Sequence, residues 1–384
     1  MDSAGTVRPV RSRRDLRRFI NFPYSQYKRN PYWVPPLRSD VKGTLNPRRN
    51  PFFEHGRMQL FLATDSADRV VGRIAGIYNG MHLKTHQDDA GFFGFFECEE
   101  RYETAAALLD AVRSWILRQG LRVLRGPVNP SLNDSSGLLV NGFDRIPSIL
   151  MAYNPPYYED FLLKWGFHRV MTLWAYYIHR KHVSFERLRR GAAIVYRRNP
   201  GLSLRTLDMS RFEEEARIVR EIYNEAWSDN WGFVPVTDRE FSHLAKSMKQ
   251  ILDPRICFFV LKDGEPVGFT ISLPDINPAL QRLPTGRLFP FGLLKLLLLT
   301  KFAGVHEIRM PLMGVRKQYR GRAFAVLPVL ETIEKGPLYG YQACETSWIL
   351  DSNHVLKNLL ASIGTAVDKE YALLEVPLVT GESD

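Results

Sequence analysis

Along the 384-residue chain the spacing of apolar residues changes in a set order, and the order runs through twice. Near the start, TVRPV reads as a short strand, and Ser12 with Asp15 three residues on reads as a capping box opening a helix. In the second half, LSLRTL is followed by Ser210 and Glu213, the same signal in stricter form. FEEEARIVREIYNEAW then places acids in the first helical turn, where the helix dipole favours them. Each half continues with two strands joined by a polar turn: MQLFLATDSADRVVGRIAGIY, and CFFVLKDGEPVGFTISL with Asp263-Gly264 at a hairpin tip. A further strand follows in each, AGFFGFFEC and EIRMPLMGV, and leads into a helix. In the first half that helix carries Leu108, Leu109, Val112 and Ile116 on one stripe, with Gly120 as its stop. Another strand (LRVLRGPV; YQACETSWIL), a short helix ending at Gly166 or Gly364, and a last strand complete each set.

Strand, helix, helix, three strands, helix, strand, helix, strand: this succession predicts a mixed α/β class, with two tandem domains that each hold a mixed central sheet flanked by helices. The predicted domains are 1–180 and 202–384, joined by the basic connecting segment 181–201, KHVSFERLRRGAAIVYRRNPG. The length permits two domains with cores of ordinary size. The longest apolar run, LFPFGLLKLLLL at 288–299, is interrupted by Pro290 and Lys295 and falls short of the ~20 residues a bilayer span needs. It is expected as a buried helix or an interfacial segment.

One junction carries chemistry. EIRMPLMGV feeds VRKQYRGRAF (315–324), in which Gln318, Gly321 and Ala323 fall at the spacing Q-x-x-G-x-A ahead of an apolar-periodic stretch. A strand running into a Gly-bearing loop and a helix presents unpaired N–H groups at the helix start, and with the helix dipole these make an anion site. Gly321 lets backbone approach the anion without a Cβ, and Ala323 keeps the first helical turn thin. Arg316, Lys317, Arg320 and Arg322 add positive charge. The net charge of +11 widens the choice of anionic partner to nucleic acid, a phosphate-bearing cofactor or an anionic membrane face. Six arginines between Arg8 and Arg18 read as a solvated helix face. They precede FINFPYSQY rather than a long apolar segment, so no signal peptide is read there. Cys98, Cys257 and Cys344 are far apart and have no metal-type spacing. No disulfide framework or metal site is expected, and a cytoplasmic location is.

The loop, with a strand before it and a helix after it, resembles the pyrophosphate loop of the GNAT acyltransferase superfamily. A downstream SNHVLKNLLASIG resembles the family's next helix, and the duplicated order of elements is similar to that of tandem GNAT proteins. The segments NPFFEH, GFFGFFE, NWGFVP and GRLFPFGLLK are similar to those of a bacterial tandem-GNAT group that includes ceramide synthases. The resemblance implies an acyl-CoA-dependent N-acyltransferase that moves a long acyl chain to the amine of a lipid such as a sphingoid base, as in bacterial ceramide synthesis. Acyl-CoA is then a co-substrate, no cofactor is permanently bound, and the protein works as a peripheral one on the inner membrane face. The coenzyme is expected against Met313, Gly314, Val315, Gln318, Tyr319, Arg320, Gly321, Arg322 and Ala323. Two positions depart from the family pattern: Pro328 is expected inside the helix after the loop, kinking it, and Leu360 stands where many members carry a tyrosine acid. The first half has four glutamates in FFECEERYETAAALL where phosphate would sit, and is read as a degenerate domain.

Amide formation from a thioester needs a neutral amine and a donor at the carbonyl oxygen. Glu345, in the strand expected to splay from the loop-bearing one, is the candidate base; a satisfied acid at a strand end is the structural alternative. Main-chain N–H groups at Met313–Val315 are candidate carbonyl donors, with Gly314 suiting a bulge. Asn353 is a candidate for the coenzyme's amide arm or, in the simpler reading, a helix cap. His82, His86, Glu97, Asn129, Asp275 and His243 could reach an amine, though each is more simply structural. Rival functions are acetyl transfer to a small polar amine or a protein, a non-catalytic acyl-CoA-binding protein, and a nucleic-acid-binding protein. No nucleic-acid reader motif is found, so nucleic acid is not an expected partner.

Overall fold

The computed structural model describes residues 6–182, 185–302 and 304–378. Its elements run β1 (Thr6–Pro9), α1 (Arg13–Gln26), α2 (Arg38–Thr44), β2 (Gly56–Thr64), β3 (Val70–Asn79), α3 (Gly80–His86), β4 (Ala90–Cys98), α4 (Tyr102–Arg118), β5 (Val123–Gly126) and β6 (Val128–Asn129). Next come β7 (Ser135–Ser136), β8 (Leu138–Asn141), α5 (Tyr157–Trp165), β9 (His168–His179), α6 (Glu186–Arg198), β10 (Leu202–Thr206), α7 (Phe212–Trp227) and α8 (Asp238–Met248). The remainder is β11 (Phe258–Lys262), β12 (Glu265–Pro274), α9 (Asn277–Gln281), α10 (Gly292–Phe302), β13 (Glu307–Val315), α11 (Val326–Lys335), β14 (Ala343–Leu350), α12 (His354–Ser362) and β15 (Ala366–Pro377). The doubled order expected from the hydrophobic pattern is present, with short elements added. Two units form: Met1–Leu173 with Asn277–Leu296 and Lys369–Asp384, and Trp174–Ile276 with Leu297–Asp368.

The first unit contains a mixed sheet ordered β1-β2-β3-β4-β5-β15, with β8 also on β15. Its strands are antiparallel except for the β4–β5 pair. The α4 stripe anticipated from spacing is its core: Leu108, Leu109, Val112 and Ile116 are fully buried with Ile74, Phe93, Leu124 and Leu374. Each such side chain stabilises the fold by roughly 1.5–3 kcal/mol before chain entropy is subtracted. Ser12 accepts from the Asp15 N–H, so the first predicted helix start holds.

The second unit orders its strands β14-β13-β12-β11-β10, all antiparallel except β13–β14. Asp263 and Gly264 both adopt left-handed φ and join β11 to β12 as the predicted hairpin. The Ser210–Glu213 box does not form. Asp208 accepts from the Ser210 N–H, and α7 starts at Phe212 without a side-chain cap. A complete capping box closes instead at Thr237 and Glu240, at the start of α8. Most of segment 181–201, expected as a connection, is α6, whose Leu188, Ala192 and Val195 are buried in the second unit. Pro328 does not kink α11. The helix begins at Val326, so the proline sits in its first turn, where the missing N–H has no intrahelical partner to lose.

Candidate functional site

The parallel pairing of β13 with β14 runs only from Glu307–Ala343 to Met310–Thr346. Beyond that point β13 continues through Val315 and β14 through Leu350 with no further pairs between them, so the strands part. On its other side β13 stays in register with β12, Gly314 opposite Phe269 and Val315 opposite Gly268, and the Arg316 N–H donates to Val267 O at 2.8 Å. Antiparallel ladders alternate, so Met313 and Val315 turn their backbone groups away from β12, into the opening. Trp227 Nε1 reaches the same edge and donates to Met313 O at 2.9 Å. The register shift in β13 lies near Met310 and Pro311, between the pairs Ile271–Leu312 and Leu273–Arg309, not at Gly314. Gly314 serves a different need: a Cβ there would lie 3.0 Å from the Phe269 ring and 3.3 Å from Ala226, so its absence lets α7 close on the strand.

The strand delivers the chain into loop 316–325. Gly321 has φ +77° and Ala323 φ +59°, and a Cβ on Gly321 would meet nothing within 4 Å. A left-handed alanine is a strained position, and such strain gathers where a loop must present its backbone to a ligand. Nor does any side chain cap the start of α11. Tyr319 stacks on Phe324 at 5.5 Å and anchors the loop to the core, while Gln318 and Arg322 are exposed. The loop's other cations are held by the last turn of α7 and by Asp229 just beyond it. Arg316 donates to Glu225 at 2.8 Å, and the Lys317 N–H bonds the same carboxylate. Lys317 Nζ and Arg320 reach Asp229 at 2.7 and 2.6 Å, hydrogen bonds that hold its carboxyl down at about 2. Nothing in the local spacing marked Glu225, Trp227 or Asp229, because their partners lie about ninety positions away.

Glu345 is 1% exposed and is the register partner of Arg309, itself 3% exposed. Ser347 Oγ donates to Glu345 Oε1 at 2.7 Å, and Arg309 donates to Ser347 Oγ and O at 2.9 and 3.0 Å. This polar group lies where the strands begin to part. Asn353 is exposed and accepts from the Leu356 N–H at 3.2 Å, which makes it the cap of α12. Leu360 is buried with Tyr176, Leu188 and Ile349. Asp275 is buried at the end of β12, and His243 is exposed on α8.

Two apolar clefts flank β13. One lies between α7, α8 and the sheet, where Phe212, Val219, Phe241 and Leu244 face Ile271 and Leu312. The other lies beneath α11, lined by Ile308, Met310, Val329, Ile333, Cys344 and Thr346 among others, and is open to solvent.

In the first unit β4 and β5 also pair in parallel only briefly, from Ala90–Val123 to Phe92–Arg125. Here the chain fills the place beyond. A Cβ on Gly94 would overlap the Val128 carbonyl oxygen, and Asn129 Oδ1 accepts from the Phe95 N–H at 2.6 Å. Asn129 is thus spent on backbone. Glu97 is bonded by the Tyr27 and Tyr158 hydroxyls beside Arg73, and burial raises its pKa. His82 lies against His86 and bonds Asp88 at 3.0 Å, with Arg125 on the same carboxylate at 2.9 Å.

Burial pushes the His82 imidazole down to about 4. The folded protein therefore takes up this proton later than the unfolded chain does, near pH ~6.5. Its contribution to stability is complete above that value and is lost as pH falls toward the folded pKa, by up to about 3 kcal/mol. Melting points should fall more steeply over this range in the wild type than in His82→Phe; parallel slopes would refute the assignment.

No protein-family model matches the chain. Among solved structures, a tandem GNAT protein from the clavulanic acid biosynthesis pathway superposes over 99% of each chain with a TM-score of 0.58 at 14% identity. A glucosamine N-acetyltransferase region of a fungal β-N-acetylglucosaminidase gives 0.56 at 12% identity, over 97% of this chain and 38% of that one. The fold is that of tandem GNAT proteins. In sequence, the chain is 36% identical over 382 residues to the bacterial ceramide synthase of Caulobacter vibrioides, covering 97% of each, and 34% identical to Protein YghO of Escherichia coli, covering 97% of this chain and 95% of that one. The chain belongs to the bacterial ceramide synthase family and is an acyltransferase.

Proposed function

We propose that the protein transfers a long acyl chain from acyl-CoA to the amine of a lipid of the sphingoid type, with the second unit supplying the coenzyme-binding domain. The observation that carries the coenzyme reading is the parting of β13 from β14 directly ahead of a loop with left-handed Gly321 and Ala323. The loop is suited to a pyrophosphate, and the opened strand edge at Met313 and Val315 to the amide arm and the thioester carbonyl. Glu345 is suited to receiving the amine proton, directly or through water. The first unit lacks this opening, since Val128 and Asn129 occupy it, and is not read as a second coenzyme site. The lipid reading draws on the 36% identical ceramide synthase and on the segment around α10. Phe289, Phe291, Leu294, Leu297 and Leu298 are exposed there, Phe289 to 77% and Phe291 to 76%. Among the described residues no helix is long and apolar enough to cross a membrane. An exposed apolar segment of this length suits contact with one membrane face, with Arg11, Arg13, Arg14 and Arg17, all exposed, adding attraction to anionic head groups.

Thiol release tests the reading. Palmitoyl-CoA with sphinganine should outpace acetyl-CoA with a polyamine. The protein should float with anionic vesicles at low salt and leave them at high salt, and Leu294→Ser with Leu297→Ser should weaken flotation. Preference for acetyl-CoA and the polyamine would overturn the lipid reading; flotation indifferent to both substitutions would overturn the membrane contact.

A further inference from the structure

We propose that the cleft beneath α11 is the channel for the acyl chain of the bound thioester, and that its depth sets the chain length used; this rests on the coenzyme reading above. From the loop, β13 leads inward past Val315 and Met313 to Met310, where pairing with Thr346 closes the opening. An acyl chain lying in the opening must leave the sheet plane there, toward one face. On the α7 face stand Arg309, Glu345 and Ser347, buried and joined by hydrogen bonds. Methylenes laid over these groups would gain little and would strip polar groups of their surroundings. On the α11 face stand Ile308, Met310 and Cys344, and the cleft begins at that level. One polar atom marks its mouth: Thr346 Oγ1 is buried and has no hydrogen-bond partner in the protein. A hydroxyl in that state is costly unless something uses it, which singles out this end of the cleft as a place that a bound group reaches. The apolar cleft under α8 lies on the opposite face, beyond the charged group, on the side from which the amine would approach Glu345.

Two substitutions push the cleft in opposite directions. Ile333→Trp fills it from α11, and Phe185→Ala widens it from the start of α6. The measurements are the affinity for palmitoyl-CoA relative to coenzyme A, and thiol release across acyl-CoAs from acetyl to palmitoyl with sphinganine. The wild type should bind palmitoyl-CoA more tightly than coenzyme A. Ile333→Trp should lower that preference about tenfold or more and move the best substrate to shorter chains, while Phe185→Ala moves it to longer ones. The channel is overturned by a wild type that binds both compounds equally, by a folded Ile333→Trp protein with its preference intact, or by Leu244→Trp in the α7-face cleft abolishing the preference in its place. If Ile333→Trp does not fold, a Phe185→Ala profile identical to wild type overturns it equally. Tight palmitoyl-CoA binding sensitive to both substitutions, with no turnover on any lipid amine, would support the channel and remove the acceptor reading alone.

Discussion

Gly321→Glu should bind coenzyme A too weakly to detect by calorimetry, a loss of about a hundredfold or more, while keeping its fold. Two effects combine. At φ +77° any side chain is strained by roughly 1–2 kcal/mol, and the space beside Gly321 is open because no protein atom lies within 4 Å of a Cβ there. The glutamate would therefore project into the ligand's place and set its charge against phosphate. Gly321→Ala separates the terms, since it carries the strain without the charge and should retain intermediate affinity. The loop is exposed, so neither change removes buried contacts, and both melting points should stay close to that of the wild type. A folded Gly321→Glu protein with unchanged affinity would take the coenzyme away from this loop.

Glu345→Gln should lower turnover about 10²–10⁴-fold if the carboxylate receives the amine proton, with coenzyme affinity moved little. The glutamine keeps the shape and can still accept from Ser347 Oγ, the bond now 2.7 Å long, but it can no longer take a proton. Stability is read in parallel because Glu345 also belongs to the buried group with Arg309 and Ser347. A lowered melting point with turnover within threefold of wild type, assayed well below melting, would make it an anchor for those residues and nothing more.

What could be read in advance was what neighbours in sequence decide. The Asp263-Gly264 hairpin, the α4 stripe and the Q-x-x-G-x-A loop depend on residues a few positions apart, and each is where spacing placed it. Helix starts were harder, since competing caps stand close together. Asp208 accepts from both the N–H and the hydroxyl of Ser210, which leaves Ser210 out of the cap expected with Glu213, and the later start of α11 changes Pro328 from a kink into an ordinary first-turn residue. What escaped the sequence altogether depends on distant partners. That β13 parts from β14 while β4 and β5 have Val128 and Asn129 set between them is a matter of which backbone reaches which edge. The hold of Glu225 and Asp229 on the loop cations is of the same kind. Two similar patterns of strands and helices thus lead to one open strand pair and one closed.

The last strand bears on how the chain is made. β15 supplies Tyr371, Ala372 and Leu374, all fully buried, to the first unit, where β5 and β8 both pair with it. Arg125 and Glu375, bonded at 2.7 Å, are 250 positions apart. Closing so long a loop adds only a logarithmic entropy term, but it fixes an order of events. During synthesis β5 and β8 precede the second unit and wait for their partner while it is made, with edges that invite pairing to other chains. The first unit thus completes its sheet after nearly all of the second has left the ribosome. The two repeats are equivalent in pattern but not in biogenesis, and a nascent chain of this family is most exposed to aggregation in the half it makes first.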